Sequence, residues 1–489
     1  MRAQPRMVFS PLMRLGFLSL VSGALALLPR TASAQSVDGG PQPAPDAMPT
    51  TPATRAMSLP EAIAYAHDHQ PAVHAALARI AARTAEAQVP SGQWMPSVGV
   101  SAQLYGMTAN NTTAMYLSTD ALEVPRIGGT PAASTSSANL APYASTFVGA
   151  GLTQELFDFG RIGAQRAATD ALVDVARRSA DAVRLDVDLG VEEAYFAVLA
   201  AKAIVRASDE AYGRSRVHRD LAKRGVDAGV RSPIDLTRAE ADLARFDVDR
   251  VRARGGLTIA QAVLGASMGA PEMTVDTSSD AMTPADMPTI GEALQLAQTR
   301  DPVLAAAEAQ LRAAERATTA VGAELRPNLA LTAGLSGRAG GAPPSGNAPT
   351  PSGNGWLPDV PNWDVGVVLS WPIFDGVVSA RSDAARSTEQ VRRDEIDVVK
   401  EQEVARVHKT FAQVQVSRQA LVALQNTVVA ARANYDQADA RFKSGLGNAV
   451  ELADAEAVRT DAEIELAIGQ FELARSRAAF GRAIAEGLR

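Results

Sequence analysis

Two phrases recur at fixed spacing along this 489-residue chain, and they limit what it can fold into more than any other feature. SLPEAIAYAHDHQPAV at 58–73 aligns with TIGEALQLAQTRDPVL at 289–304. The offset of 231 also relates Glu61 to Glu292, Pro71 to Pro302, Pro96 to Pro327 and Gly106 to Gly337. Further on, LFDFG at 156–160 matches IFDGV at 373–377. GVRSPIDLTRAEADL at 229–243 matches GLGNAVELADAEAVR at 445–459, with an offset of 216. Self-similarity on this scale means two copies of one structural unit. The shrinking offset places the longer loop in the first copy.

Each copy follows the same grammar. An alanine-rich helix is predicted near 58–89 and again near 289–324. A proline-opened strand comes next. Val98, Val100, Ala102 and Leu104 fall on one face and Ser101 and Gln103 on the other. Leu329, Leu331, Ala333 and Leu335 likewise alternate with Asn328, Thr332, Gly334 and Ser336, the period of two that marks a strand with one apolar face. Turn formers crowd 107–144 and 339–362, which predicts exposed loops. A second strand follows each loop, through Val148, Ala150 and Leu152, and through Val365, Val367, Leu369 and Trp371.

Both copies then turn helical, from about Arg161 to Ala228 and from about Ser379 to Ser444. A helix of that length spans roughly 100 Å, far beyond a globular helix. Ala180, Val183, Val187, Val191, Ala194, Val198, Ala201 and Val205 step by threes and fours, as do Leu421, Leu424, Val428, Ala431 and Tyr435. That is a coiled-coil seam rich in alanine. The helices break at AGVRSPID and SGLGNAVE. Gly229 and Gly445 supply the usual helix stop. Ser232 is a cap with Pro233 at the first helical position, and Asn448 is the cap in the second copy. Asp235 and Glu451, three residues past their caps, fit a capping box. The phrase therefore reads as the tip of a helical hairpin whose return helices run over about 233–268 and 449–486.

Arg2, Arg6 and Arg14 precede an apolar run from Leu15 to Leu28 and a small-residue site ending at Ala34, the order of a secretory signal peptide. Its removal takes away four arginines and no acid, moving the formal charge from −7 to −11 (−7 − 4). An acidic exported chain lacks the Lys and Arg clusters that nucleic acids require. With no cysteine, neither a disulfide nor a cysteine-linked lipid is available. Past the signal there is no stretch of 18 apolar residues, so a membrane form would have to be a barrel.

The domain reading follows: signal peptide 1–34, flexible leader 35–57, first repeat 58–270 with a β-hairpin at 97–155 and a tip at 229–235. A linker at 271–288 leads to the second repeat, 289–489, with a β-hairpin at 328–373 and a tip at 445–451. Four strands cannot close a barrel. Three chains would bring twelve, whereas two would bring eight, a number whose lumen side chains fill. The expected fold class is mainly α with transmembrane β: long coiled-coil hairpins plus four strands per chain in a trimeric 12-stranded barrel. Pro96, Pro327 and Pro372 sit where strand meets helix. Trp94, Tyr105, Trp371 and Phe374 near the strand ends suit either an aromatic girdle or plain packing at the junction.

The duplicated unit, the strand exits L-F-D at 156–158 and I-F-D at 373–375, and the tip G-x-x-S-x-x-D-L at 229–236 resemble the TolC-like outer-membrane efflux protein family, from about Ser58 to Ala485. The resemblance implies a homotrimer in the outer membrane of a Gram-negative bacterium, with a large periplasmic tunnel. Its role would be the passive exit duct of a tripartite efflux or type I secretion system. The implied partners are outer-membrane lipid, a periplasmic adaptor and an inner-membrane pump of RND or ABC type. It implies no cofactor and no enzymatic chemistry.

By the same resemblance Asp454, Glu451 and Asp235 ring the periplasmic constriction, where three copies of each acid would favour cations. Capping alone also accounts for Asp235 and Glu451, whereas Asp454 has no capping role. Gly229, Ser232, Pro233, Gly445 and Asn448 would form the tips that meet the adaptor. Phe442 and Gly447 stand where the family uses an aromatic hydroxyl and an arginine, so the latch must differ, with Arg231, Arg441 or Lys443 as contributors. His67, His69 and His74 cluster on the first helix, but residues two apart point different ways and a solvated face is the better reading than a metal site. The rival class is a periplasmic coiled-coil adaptor without a barrel, which would not need two pairs of alternating strands.

Overall fold

The computed structural model describes residues 55–107, 118–119, 122–123, 143–278, 287–339 and 362–486. The signal peptide expected at 1–34, residues 35–54 of the leader and the greater part of both expected loops lie outside the described residues. In chain order the first elements are β1 (Arg55–Met57), α1 (Leu59–His69), α2 (Pro71–Glu86), α3 (Val89–Gly92) and β2 (Ser97–Met107). Next come β3 (Ser118–Thr119), β4 (Leu122–Glu123), β5 (Tyr143–Phe157), α4 (Arg161–Asp227) and α5 (Pro233–Ser267). The chain continues with β6 (Val275–Thr277), α6 (Ile290–Arg300), α7 (Pro302–Ala323), β7 (Asn328–Ala339), β8 (Asn362–Ser370), α8 (Gly376–Lys443) and α9 (Ala449–Ala483).

The helices expected as single elements near 58–89 and 289–324 are each divided, at Pro71 and Pro302. Gln70 and Asp301 are extended, with ψ near 121° and 120°. A following proline excludes the helical conformation from the residue before it. Glu61 accepts a hydrogen bond from the Ser58 amide (2.8 Å), and Glu292 accepts one from the Thr289 amide (2.8 Å). The conserved spacing of the two phrases is thus that of a helix start.

β2, β5, β7 and β8 form one antiparallel sheet in that order. Its register gathers apolar side chains into rows across all four strands: Val98, Leu152, Ala333, Val365, and Val100, Ala150, Leu335, Trp363. The opposite face carries Ser97, Thr153, Thr332, Gly366 and a band of Gly99, Gly151, Gly334, Asp364. At Gly334 a Cβ would lie 2.6 Å from the Asp364 carboxylate, so the glycine makes room for the acid. Val98 (71%), Val100 (76%), Trp363 (77%) and Val365 (65%) are exposed, so the apolar face is uncovered within one chain. Both outer strands, β2 and β8, have an unpaired edge in the chain as described.

α4 and α8 run for 67 and 68 residues and pack against their return helices α5 and α9. The expected seam is buried at Ala180, Val187, Val191, Ala194 and Val198, and again at Val428, Ala431 and Tyr435. Alanines let the helices approach closely; Leu424 lies directly against Gly469, where any side chain would collide. α4 also packs on α7 and α9, joining the two repeats side by side.

The last three residues of the expected leader and three of the expected linker are ordered as a parallel pair. β1 meets β6 through Arg55–Val275, Ala56–Asp276 and Met57–Thr277. The pair is held by side chains the segment boundaries did not reveal. Lys202 pairs with Asp276 (2.8 Å) and donates to the Thr277 carbonyl (2.9 Å), while Met57 and Val275 are buried with Leu264 and Met268.

Candidate gate and docking tips

Both long helices end in the same backbone device. Gly229 (φ 71°) and Gly445 (φ 77°) take the left-handed conformation. The Val230 amide donates to the Gly225 carbonyl (2.9 Å) and that of Gly229 to Val226 (2.9 Å). In the second copy Leu446 donates to Arg441 (3.0 Å) and Gly445 to Phe442 (3.1 Å). This six-to-one, five-to-two pattern satisfies carbonyls left open at the helix end. It also turns Val230 and Leu446, equivalent by the offset of 216, outward to the same 78% exposure.

The return helices start differently from the expected capping boxes. The Asn448 side chain accepts from the Glu451 amide (2.7 Å), but the Glu451 carboxylate turns to Arg441 (3.0 Å) rather than back to the cap. Ser232 makes no side-chain cap bond; its carbonyl accepts from the Asp235 amide (3.0 Å). The Asp235 side chain instead lines a small cavity with His218, Phe246 and Phe442. An aspartate is one methylene shorter than the glutamate that a box uses, and the cavity gives it an alternative. Asp454 is exposed on α9 and makes no hydrogen bond or ion pair among the described residues. Within one chain the three expected gate acids therefore occupy three settings: half-buried, ion-paired and free.

Arg231 reaches from the first tip to the second hairpin. Its guanidinium donates to the Phe442 carbonyl (2.7 Å) and lies 3.7 Å from the centre of the Phe442 ring. Phe442 is buried among Tyr435, Ala438, Leu452 and Ala455. Arg441 and Lys443, the other candidates, stay within their own hairpin, on Glu451 and on Asp439 (2.6 Å). Behind Phe442, His218 of α4 bonds the Tyr435 hydroxyl (2.8 Å). Burial lowers the His218 pKa, against the pull of Asp439, so the ring is held neutral.

One level further from the tip, Arg214 of α4 binds the buried Glu456 of α9 through Nε (2.8 Å to Oε1, 3.2 Å to Oε2). Glu463, one heptad on, receives Arg432 (2.9 Å) and Arg459 (3.2 Å). Burial raises the Glu456 pKa and Arg214 opposes the rise. This ion network joins the two repeats, and the expected site residues did not include it. Its signal was present: Glu456 and Glu463 interrupt the alanine face of α9 at a spacing of seven. His67, His69 and His74 diverge. His67 donates to Asp188 (2.5 Å), His69 to the Tyr65 carbonyl (2.9 Å) and His74 to the Asp68 carbonyl (2.7 Å).

A sheet with one lipid-compatible face, continued by long paired helices that end in matched tips, defines a class: an outer-membrane duct with a helical extension. The family profile described as outer membrane efflux protein matches residues 62–270 and 293–486, and the chain belongs to that family. It is 26% identical over 447 residues to Protein CyaE of Bordetella pertussis, across 90% of this chain and 87% of that one. The outer-membrane channel OprN superposes with a TM-score of 0.62 at 22% identity, covering 88% of this chain and 90% of the other. The open-state MtrE outer membrane channel of Neisseria gonorrhoeae gives a TM-score of 0.64 at 19% identity, with 88% and 89% covered. The chain is an exit duct of the outer membrane for efflux or secretion. Among the described residues no helix is long and apolar enough to cross a membrane.

Proposed function

We propose that three copies of this chain close their sheets into one twelve-stranded barrel, four strands from each. The helices of the three copies then form a tunnel reaching a periplasmic adaptor and an inner-membrane RND or ABC pump of a Gram-negative cell. The observation that supports this reading is the sheet itself: two open edges and an exposed apolar face are untenable in water and are resolved together by closure in lipid. The duct performs no chemistry; the pump supplies the energy. The exposed tips, Gly229, Ser232 and Pro233 with Val230, and Gly445 and Asn448 with Leu446, meet the adaptor. Asp454, Glu451 and Asp235 line the constriction, and Arg231 on Phe442 holds the two hairpins of each chain together there.

The natural absence of cysteine makes closure directly testable. One cysteine introduced in β2 and one in β8, in a panel of paired positions, should oxidise at the matching register to a covalent species of three chains. Only two-chain products across the whole panel would overturn the trimer.

A further inference from the structure

Between α4, α8 and α9, well above the tips, lies a cavity of about 700 Å³. That is within the range of roughly 300–1,000 Å³ typical of small-molecule sites. Its apolar wall is made by Leu189 and Phe196 of α4, Leu421 of α8 and Leu473 of α9. None of these belongs to the tips or to the sheet.

The cavity's charge is set by the coiled-coil register. In the α8–α9 pair Arg432 faces Glu463 at 2.9 Å. Two heptads along, the facing positions are 432 − 14 = 418 and 463 + 14 = 477, which are Arg418 and Arg477. Where the pair below has an arginine opposite an acid, this level has an arginine opposite an arginine, and both line the cavity. Neither forms an ion pair or hydrogen bond among the described residues, and Arg477 Nε is buried without a partner. The neighbouring cations are engaged: Arg482 with Asp186 (2.6 Å), and Arg206 also has a partner. The lining also holds three acids, Asp188, Glu192 and Glu486. Glu192 is raised to about 7 by burial, then by Asp188 and Glu486. Neither Arg418 nor Arg477 forms an ion pair with any of these three acids.

We propose that this cavity binds a single-chain anionic amphiphile, its head group on Arg418 and Arg477 and its alkyl chain along Leu189, Phe196, Leu421 and Leu473. Two forked donors on facing helices suit a carboxylate, sulfate or phosphate monoester. All the residues that line the site come from one chain.

Saturable binding of tritiated laurate to the full-length protein, purified in dodecyl maltoside and held on scintillation beads, tests this. The protein should bind laurate, and dodecanol of equal chain length should compete at least about tenfold less well, since it brings no charge to the guanidinium groups. Arg418→Gln with Arg477→Gln should weaken binding at least about tenfold at an unchanged melting temperature. Arg418→Lys should keep it within about threefold. Should the double variant not fold, the exposed Arg418→Gln alone should still weaken binding about threefold or more. Absence of saturable binding, equal competition by dodecanol, or undiminished affinity in the glutamine variants would overturn the proposal.

Discussion

Arg231 and Glu456 each tie the first repeat to the second near the tips. Arg231 contributes one carbonyl hydrogen bond and one cation–π contact to Phe442, together about 1–3 kcal/mol. Arg231→Ala should therefore raise the fraction of open time or the conductance of the purified channel in planar bilayers. Asp454→Asn should reduce cation preference in the same recordings; unchanged selectivity would remove Asp454 from the constriction. Glu456 is only 2% exposed and is the nearest carboxylate to Arg214, at 2.8 Å. Glu456→Ala should cost up to about 3 kcal/mol, read as a lowered melting temperature, because it leaves Arg214 only the longer contacts to Glu210 (3.5 Å) and Glu463 (3.8 Å). Glu456→Leu with Arg214→Met should recover most of that loss. At this scale the sequence was legible where the backbone decides: glycine stops and cap positions follow from local chemistry. It was less legible where a side chain chooses between partners. Glu451 prefers Arg441 to its cap, and Asp235 prefers a cavity that only the folded hairpins create.

Among the elements, the break before α7 holds the most consequential burial. Asp301 caps α7 through the Val303 amide (2.8 Å) and lies buried beside Glu403 of α8. Arg406 contacts Glu403 (2.8 Å) and Asp301 (3.8 Å). Burial first, then Asp301, pushes Glu403 up to about 8. A carboxyl raised in the fold stabilises it below its ordinary value and loses that contribution as pH climbs through the raised one. Stability should thus fall between about pH 5 and pH 8, and Glu403→Gln should flatten that slope in melting curves. His218 works oppositely at the tip: with its pKa lowered, its contribution is present above the ordinary histidine value near 6.5 and declines as pH falls below it. His218→Gln should remove the acid-side decline. Proline placed the break before α7 in plain view of the sequence, yet the expected helix ran through it, because the alanine periodicity on both sides outweighed a single residue. The four strands of the large sheet were legible, since a period of two with a clean polar face has no helical counterpart, whereas the two- and three-residue strands β1, β3, β4 and β6 are too short to show a period.

For the whole molecule, duplication made the architecture readable. Two copies of one grammar announced the four strands of the large sheet and both helical hairpins, and the exposed apolar rows required neighbours. What the copies do differently was not readable. The first uses Gln70 where the second uses Asp301, and the short parallel pairing of β1 with β6 has no equivalent that local patterning could announce. That pairing joins residues about 220 positions apart, so its ends bracket the entire first repeat. The chain thus enters and leaves the first repeat at one point, where the Ser278 amide donates to the Met57 carbonyl (2.8 Å). This clasp holds the two ends of the first repeat in place while its strand β5 and long helix α4 reach across to β7, α7 and α9 of the second.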